Sequence, residues 1–182
     1  MQNIITGCVW VLTDAEGALI DNIDTDMIFH NRCLHITDIA QMGQYALDNL
    51  KGWEDFARHV ESGDIVVAGA NFGCGSSRQQ AVDCFRSLGI AALVAKSFGA
   101  IYFRNAVNTG WPVFSCPTLS PSDLSNGDRV EIDIAAGTWR KLTGTNHRQD
   151  ARASVLPPLR RISDVQREIM AAGGLFKLKL AG

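Results

Sequence analysis

Two short runs, Asp64 to Ala68 (DIVVA) and Ala91 to Ala95 (AALVA), constrain this chain more than anything else in it. Apolar runs of this length, with no polar residue alternating through them, read as strands covered on both faces. Such strands belong to parallel sheets packed between helices. Between the two runs lie Gly69-Ala70, then the loop Asn71-Phe72-Gly73-Cys74-Gly75-Ser76-Ser77-Arg78, then a segment in which Ala81, Phe85 and Leu88, with Val82 and Cys84 beside them, mark an amphipathic helix ending at Gly89. Strand, glycine turn, helix, strand is a βαβ unit. The expected fold class is α/β, a mostly parallel central sheet with flanking helices.

The rest of the chain is arranged around that unit. The apolar start MQNIITGCVWVL predicts a first strand, and Asp14 to Gly17 a turn. From a capping Asp38, the residues Ile39, Met42, Ala46, Leu47 and Leu50 recur at helical spacing up to Gly52. A second short helix is expected over Trp53 to Val60, another over Phe98 to Asn108 closed by Gly110, and a strand over Trp111 to Ser115. Arg129 to Ile134 and Trp139 to Leu142, turning at Gly137, predict a C-terminal hairpin, and Ile162 to Ala172 a closing helix. With 182 residues, one domain over 1–182 is expected, its core at about 1–120 and the hairpin and closing helix at about 121–182.

Charge and cysteine usage exclude several function classes. A formal net charge of −2, with Lys and Arg scattered along the chain, gives no electrostatic reason to expect nucleic acid or an anionic membrane as partner. No stretch approaches the roughly 20 uninterrupted apolar residues of a membrane span. The first residues lack a basic leader and a small-residue cleavage site and read as the first strand, and the scattered cysteines suit a reducing cytoplasm. Cys8, Cys33, Cys74, Cys84 and Cys116 are odd in number and far apart and form no CxxC pair, which argues against a disulfide framework and against a metal site. An iron–sulfur cluster needs clustered thiolates. This chain is not expected to bind one, or any other cofactor, alone.

The loop Gly73-Cys74-Gly75-Ser76-Ser77-Arg78 stands between a buried strand and a helix, the place where backbone N–H groups and the positive end of a helix meet an anion. Two hydroxyls and a guanidinium add donors suited to a carboxylate. Three better-known motifs do not fit it. A dinucleotide fingerprint needs glycine or alanine where Arg78 stands, a phosphate loop needs Gly-Lys ahead of its hydroxyl residue, and a nucleophile elbow needs glycine two residues after Ser76. The plain alternative is that Ser76 or Ser77 caps the helix and Arg78 is solvated on its first turn. A second polar segment, Asp21-Asn22-Ile23-Asp24-Thr25-Asp26, places three carboxylates in six residues, the composition of an exposed turn.

Taken in order, these segments resemble a known family. Asp21 to Asp26, Asn71 to Arg78, Ser97-Phe98 with Phe103-Arg104-Asn105-Ala106, Asn108-Thr109-Gly110 and the closing Ala172-Gly173-Gly174-Leu175 are similar to the small subunits of 3-isopropylmalate dehydratase and related enzymes, equivalent to the swivelling domain of aconitase. The likeness covers most of the chain. It implies a hydro-lyase of leucine biosynthesis that works as a heteromer, dehydrating and rehydrating a hydroxy-dicarboxylate, with a [4Fe-4S] cluster on a large catalytic subunit. Carried over residue by residue, it makes Ser76 the base that takes a proton from the carbon next to a carboxylate. Ser77 and Arg78, beside Gly75, would bind substrate carboxylate. Asp26 would support a catalytic histidine of the large subunit, Asp24 would stay structural, and Arg104, Asn105 and Asn108 would support the site from behind.

The family reads the variable group of its substrate in the loop that follows Asp26, which here contains Cys33-Leu34-His35-Ile36. Many short-form relatives carry Tyr-Leu-Arg where this chain has Cys33-Leu34-His35. His35 is smaller than arginine, mostly neutral at pH 7 and unable to form a bidentate fork. That departure argues against a homoaconitase-like tricarboxylate and toward a branched or alkyl malate, with Leu34 and Ile36 lining an apolar pocket. The leading substrate is 3-isopropylmalate, with another alkylmalate, citraconate or homoaconitate as alternatives. The competing class is a stand-alone anion-binding or regulatory module that uses the same loop without chemistry. The histidines at 30, 35, 59 and 147 are each expected to be surface or loop residues.

Overall fold

The computed structural model describes residues 3–142 and 154–178; His147 lies outside them. In chain order the elements are β1 (Ile4–Val11), α1 (Thr25–Ile28), α2 (Ile39–Met42), α3 (Phe56–His59), β2 (Ile65–Ala68), α4 (Gln80–Ser87), β3 (Ala92–Ala95), α5 (Ala100–Asn108), β4 (Val113–Ser115), β5 (Arg129–Asp133), β6 (Thr138–Lys141), β7 (Ser154–Val155) and α6 (Asp164–Ala172). Single 3₁₀ turns follow α1, α2 and α6.

The strands form one seven-stranded sheet in the order β4-β3-β2-β1-β5-β6-β7. The β2-α4-β3 unit is present, and β4-β3-β2-β1 run parallel, whereas β5, β6 and β7 continue the sheet antiparallel. The sheet is therefore mixed, and the expected C-terminal hairpin extends it. β1 is the hinge of that arrangement. Its first half, Ile4 to Cys8, pairs with β5, and its last three residues, Val9 to Val11, pair with β2.

Every residue of β2 and β3 is buried, because side chains leave a strand alternately to both faces. Val66, Ala68, Leu93 and Ala95 meet Met42, Phe56, Val82, Phe85, Tyr102 and Ala106 on the face covered by the helices. Ile65, Val67, Ala92 and Val94 meet Phe114, Val130, Ile132, Trp139 and Ile162 on the other. Burial on both faces is why these strands carry no polar alternation. The closing helix α6 has the capping box Ser163/Gln166 and ends on Gly173 in the left-handed conformation.

One sequence expectation dissolves in the structure. The helical spacing from Ile39 to Leu50 becomes the single turn α2, a 3₁₀ turn over Gly43–Tyr45, and then an irregular turn. Ala46 is extended, and Leu47 has φ +62° with its side chain fully buried. A left-handed leucine costs about 1–2 kcal/mol. Burial of its side chain and a 2.9 Å hydrogen bond from its N–H to the carbonyl of Ile28 hold it there. α5 starts at Ala100 instead of Phe98, because Phe98 bridges Phe72 beside the glycine loop.

β1 and β2 are parallel, so the segments that leave their carboxyl ends emerge on the same edge of the sheet, where α/β proteins place ligands. Those segments are Asp21 to Asp26 and Asn71 to Arg78.

Candidate active site

The two loops are zipped together backbone to backbone. Asn22 N–H donates to the Ala70 carbonyl (2.8 Å), Gly73 N–H to Ile23 (2.7 Å), and Thr25 N–H to Cys74 (2.9 Å). Side chains complete the seam: Asn71 Nδ2 donates to Asn22 Oδ1 at 2.9 Å, and the Thr25 hydroxyl to the Ser76 carbonyl at 2.9 Å. The glycines are required by this seam. Gly73 has φ +73°, and a Cβ on it would stand 2.2 Å from the ring of Tyr102; Gly75 has φ +90° beside Asp24 and Thr25.

Within the Asp-rich segment the carboxylates have different tasks. Asp24 Oδ1 caps α1, accepting from the N–H groups of Asp26 and Met27 at 2.8 Å each. Asp26 turns to the other loop and pairs with Arg78, Oδ1 to Nη1, at 2.6 Å. Asn31 N–H donates to the same oxygen at 3.0 Å, and Asn49 Nδ2 reaches Oδ2 at 3.4 Å. The Arg78 hydrogen bond is the main cause holding the Asp26 carboxyl below its ordinary range; partial burial opposes it, and the Asn31 N–H and the charges of Arg78 and His30 assist.

Arg78 is therefore not solvated on the helix. Its side chain is 15% exposed, and Nη1 also donates to the Phe29 carbonyl at 3.0 Å. The serines do not cap the helix either: α4 begins after Gln79, which makes no side-chain cap. Ser76 and Ser77 stand exposed ahead of it. Among the hydrogen bonds of the described residues, none uses the backbone N–H groups of Ser76 to Gln80 as donors. These amides, two hydroxyls and the remaining Arg78 N–H groups form a donor-rich surface of the kind that can hold an anion. It is an open one. A groove of about 940 Å³ nearby, floored by Trp10, Ile20, Met27, Trp53 and Phe56, includes none of Gly73 to Arg78.

The loop after Asp26 folds as a 3₁₀ turn, Asn31–Cys33, whose Arg32 N–H donates to His30 Nδ1 at 3.2 Å. Leu34 and His35 are exposed and Ile36 is half-buried; His35 Nδ1 lies 2.9 Å from the Arg32 carbonyl. These three residues do not enclose a pocket within the described chain. Arg104, Asn105 and Asn108 lie along α5, and among the described residues their side chains make no hydrogen bond to the loops; Asn108 faces Gln79, Asp83 and Gly173 instead. Sequence reasoning missed Asp48 and Asn49. Asn49 reaches both the backbone and the carboxylate of Asp26, and Asp48 pairs with Arg32 at 2.9 Å. Their only signal was an Asp-Asn pair among apolar residues.

Among the described residues, no three His, Cys, Asp or Glu side chains converge as a metal site would require. Cys84 and Cys116 are buried, which pushes the Cys84 thiol far above its ordinary range and that of Cys116 to about 11. No helix of the described residues is long and apolar enough to cross a membrane.

The chain is similar to several known proteins. Residues 37–113 match the family model of the aconitase C-terminal domain. A 3-isopropylmalate dehydratase small subunit of Caldicellulosiruptor saccharolyticus is 38% identical over 86% of this chain and 84% of its own. A methanogen homoaconitase small subunit of Methanothermobacter thermautotrophicus is 36% identical over 96% and 90%. The crystal structure of a 3-isopropylmalate dehydratase from Methanocaldococcus jannaschii superposes with a TM-score of 0.77, at 32% identity, covering 96% of this chain and 92% of that one.

Proposed function

This chain belongs to the family of small subunits of 3-isopropylmalate dehydratase and related aconitase-type hydro-lyases, and from that premise we propose that its two zipped loops form half of an active site completed by a large subunit carrying a [4Fe-4S] cluster. The reaction is the dehydration and rehydration of a hydroxy-dicarboxylate, with 3-isopropylmalate and 2-isopropylmalate as the leading pair. The observation that supports it best is the 2.6 Å contact of Asp26 with Arg78, which joins the two segments that carry the family likeness.

Ser76 is the base. A serine hydroxyl is a weak one unless positive potential stabilises its ionised form, and the free amides of Ser76 to Gln80 at the start of α4 and the Arg78 guanidinium provide that field. It removes the proton from the carbon beside a substrate carboxylate as hydroxide leaves the neighbouring carbon, which gives the enoic acid; on rehydration hydroxide adds to the carbon that lost the proton, and the proton goes to the carbon that lost the hydroxyl. Arg78 uses Nη1 on Asp26 and Phe29. Its Nε and Nη2 edge and the Ser77 hydroxyl, beside Gly75, are left for a carboxylate. Asp26 keeps Oδ2 under one long contact, available to orient a histidine of the large subunit. The partner's cluster supplies a Lewis acid for the leaving hydroxyl.

Leu34, His35 and Ile36 read the substrate's variable group once the large subunit closes over them. An exposed imidazole, which lacks the bidentate fork of an arginine, beside two aliphatic side chains suits an alkyl substituent better than a third carboxylate. The homoaconitase relative matches this chain about as well as the isopropylmalate relatives do, so a homoaconitate-type substrate is the second reading. Replacing Ser76 by alanine in the two-subunit complex tests the assignment. Turnover should fall to background while complex assembly and melting temperature stay unchanged, because the side chain is exposed and makes no hydrogen bond among the described residues. Full activity in Ser76→Ala sinks the base assignment.

A further inference from the structure

The turn that interrupts the expected helix after Tyr45 has three features no packing role requires together. Leu47 is held left-handed with its side chain fully buried. Asp48 is only 15% exposed, and while its Oδ2 accepts from Arg32 Nη2 at 2.9 Å, its Oδ1 is buried with no hydrogen-bond partner among the described residues. Asn49, exposed, turns Nδ2 to both the carbonyl and Oδ2 of Asp26, at 3.3 and 3.4 Å. Backbone strain and an unsatisfied buried carboxylate are retained where the surrounding structure needs the geometry they give.

What the turn touches is the loop from Asp26 to Ile36, at its start and near its middle. Asn49 meets the loop at Asp26. Asp48 meets it at Arg32, whose N–H is bonded to His30 and whose carbonyl lies against His35 Nδ1 at 2.9 Å. Asn31 N–H, bonded to Asp26 Oδ1 at 3.0 Å, ties the two anchor points to each other. The Arg32 guanidinium is 65% exposed, so it gains little packing from lying where it does. It is the described cation paired with the largely buried Asp48 carboxylate, and a buried charge holds its counter-ion more firmly than an exposed one.

We propose that Leu47-Asp48-Asn49 is the positioning element of the substrate-reading loop: Asn49 orients the Asp26 carboxylate, and Asp48 anchors Arg32 so that Leu34, His35 and Ile36 are presented in one register. The turn itself touches no substrate. It rests on the reading of Asp26 and this loop given under Proposed function, and it adds to that reading the residues that set substrate selectivity from behind.

The test uses the full chain in its two-subunit complex for kinetics, and the full chain by itself for hydrogen exchange. Arg32→Ala should raise KM about tenfold, with kcat within about twofold of wild type, since displacement of a reading group by an ångström is costly. It should also lower the preference for 3-isopropylmalate over a methyl-substituted malate. Arg32→Lys should restore both, because the observed contact is a single N–H to oxygen bond that an ammonium can replace. Asn49→Ala should lower kcat more than it raises KM. In both alanine variants the backbone amides of 26–36 should exchange faster, a readout that needs no substrate. Wild-type kinetics and selectivity in both variants, no rescue by lysine, or unchanged exchange each overturn the proposal. A wild-type complex inactive on every hydroxy acid, with exchange loosened as expected, overturns the functional reading and leaves the positioning element standing.

Discussion

Replacing Asp26 by asparagine keeps the shape of the side chain and removes the charge that Arg78 holds at 2.6 Å. A hydrogen bond to a charged group contributes about 1.5–3 kcal/mol net to stability. Asp26 is 35% exposed, and solvent screening reduces the figure to about 1 kcal/mol. For a chain of this size that is about 2–4 °C in melting temperature. The sign with pH follows from the depressed carboxyl. The contribution is fully present above the unfolded value near 3.8 and is lost as pH falls through the lower folded value. Thermal melts of wild type and Asp26→Asn should therefore differ by a few degrees at pH 6–7 and converge as the solution is taken below about pH 4. A difference that stays constant across that range, or widens in acid, would refute the assignment of Arg78 as the ion-pair partner that depresses Asp26.

Three other perturbations separate the parts of the site. Arg78→Lys offers one point charge where the guanidinium serves Asp26, Phe29 and a substrate at once, so substrate KM should rise about 10–100-fold in steady-state assays. Gly73→Ala forces a side chain into φ +73° and against the Tyr102 ring at 2.2 Å; denaturation should show a loss of about 3 kcal/mol, or roughly 6–12 °C. Brief alkylation at pH 8 followed by peptide mass spectrometry should label the exposed Cys8 and spare Cys84 and Cys116, whose thiols burial keeps protonated.

The sheet was readable from Ile65–Ala68 and Ala92–Ala95 because a strand covered on both faces has one pattern and no competitor at that length. The segment from Ile39 to Leu50 was not. Its apolar spacing fits a helix, but burial of Leu47 in a left-handed conformation and its bond to Ile28 override that local preference. Antiparallel pairing of β5 with β1 was also hidden, since nothing local in Arg129 to Asp133 says which strand it will join. At the site, the identity of the two loops was legible as motif, while their seam was not. Gly73 to Ile23 and Thr25 to Ser76 are contacts across about half a hundred residues. Asp48 and Asn49 approach the loop only because the backbone turns sharply at Leu47, a conformation the residue type itself disfavours.

Whether this chain completes a dehydratase is decided by the activity of the assembled pair. The full chain, co-purified with a cluster-bearing large subunit, should convert 3-isopropylmalate to its enoic acid, followed by the ultraviolet absorbance of the product, with neither subunit active alone and with citrate and homocitrate turned over far more slowly. Carboxylate binding by this chain alone, with no turnover of any hydroxy acid by the assembled pair, would contradict it.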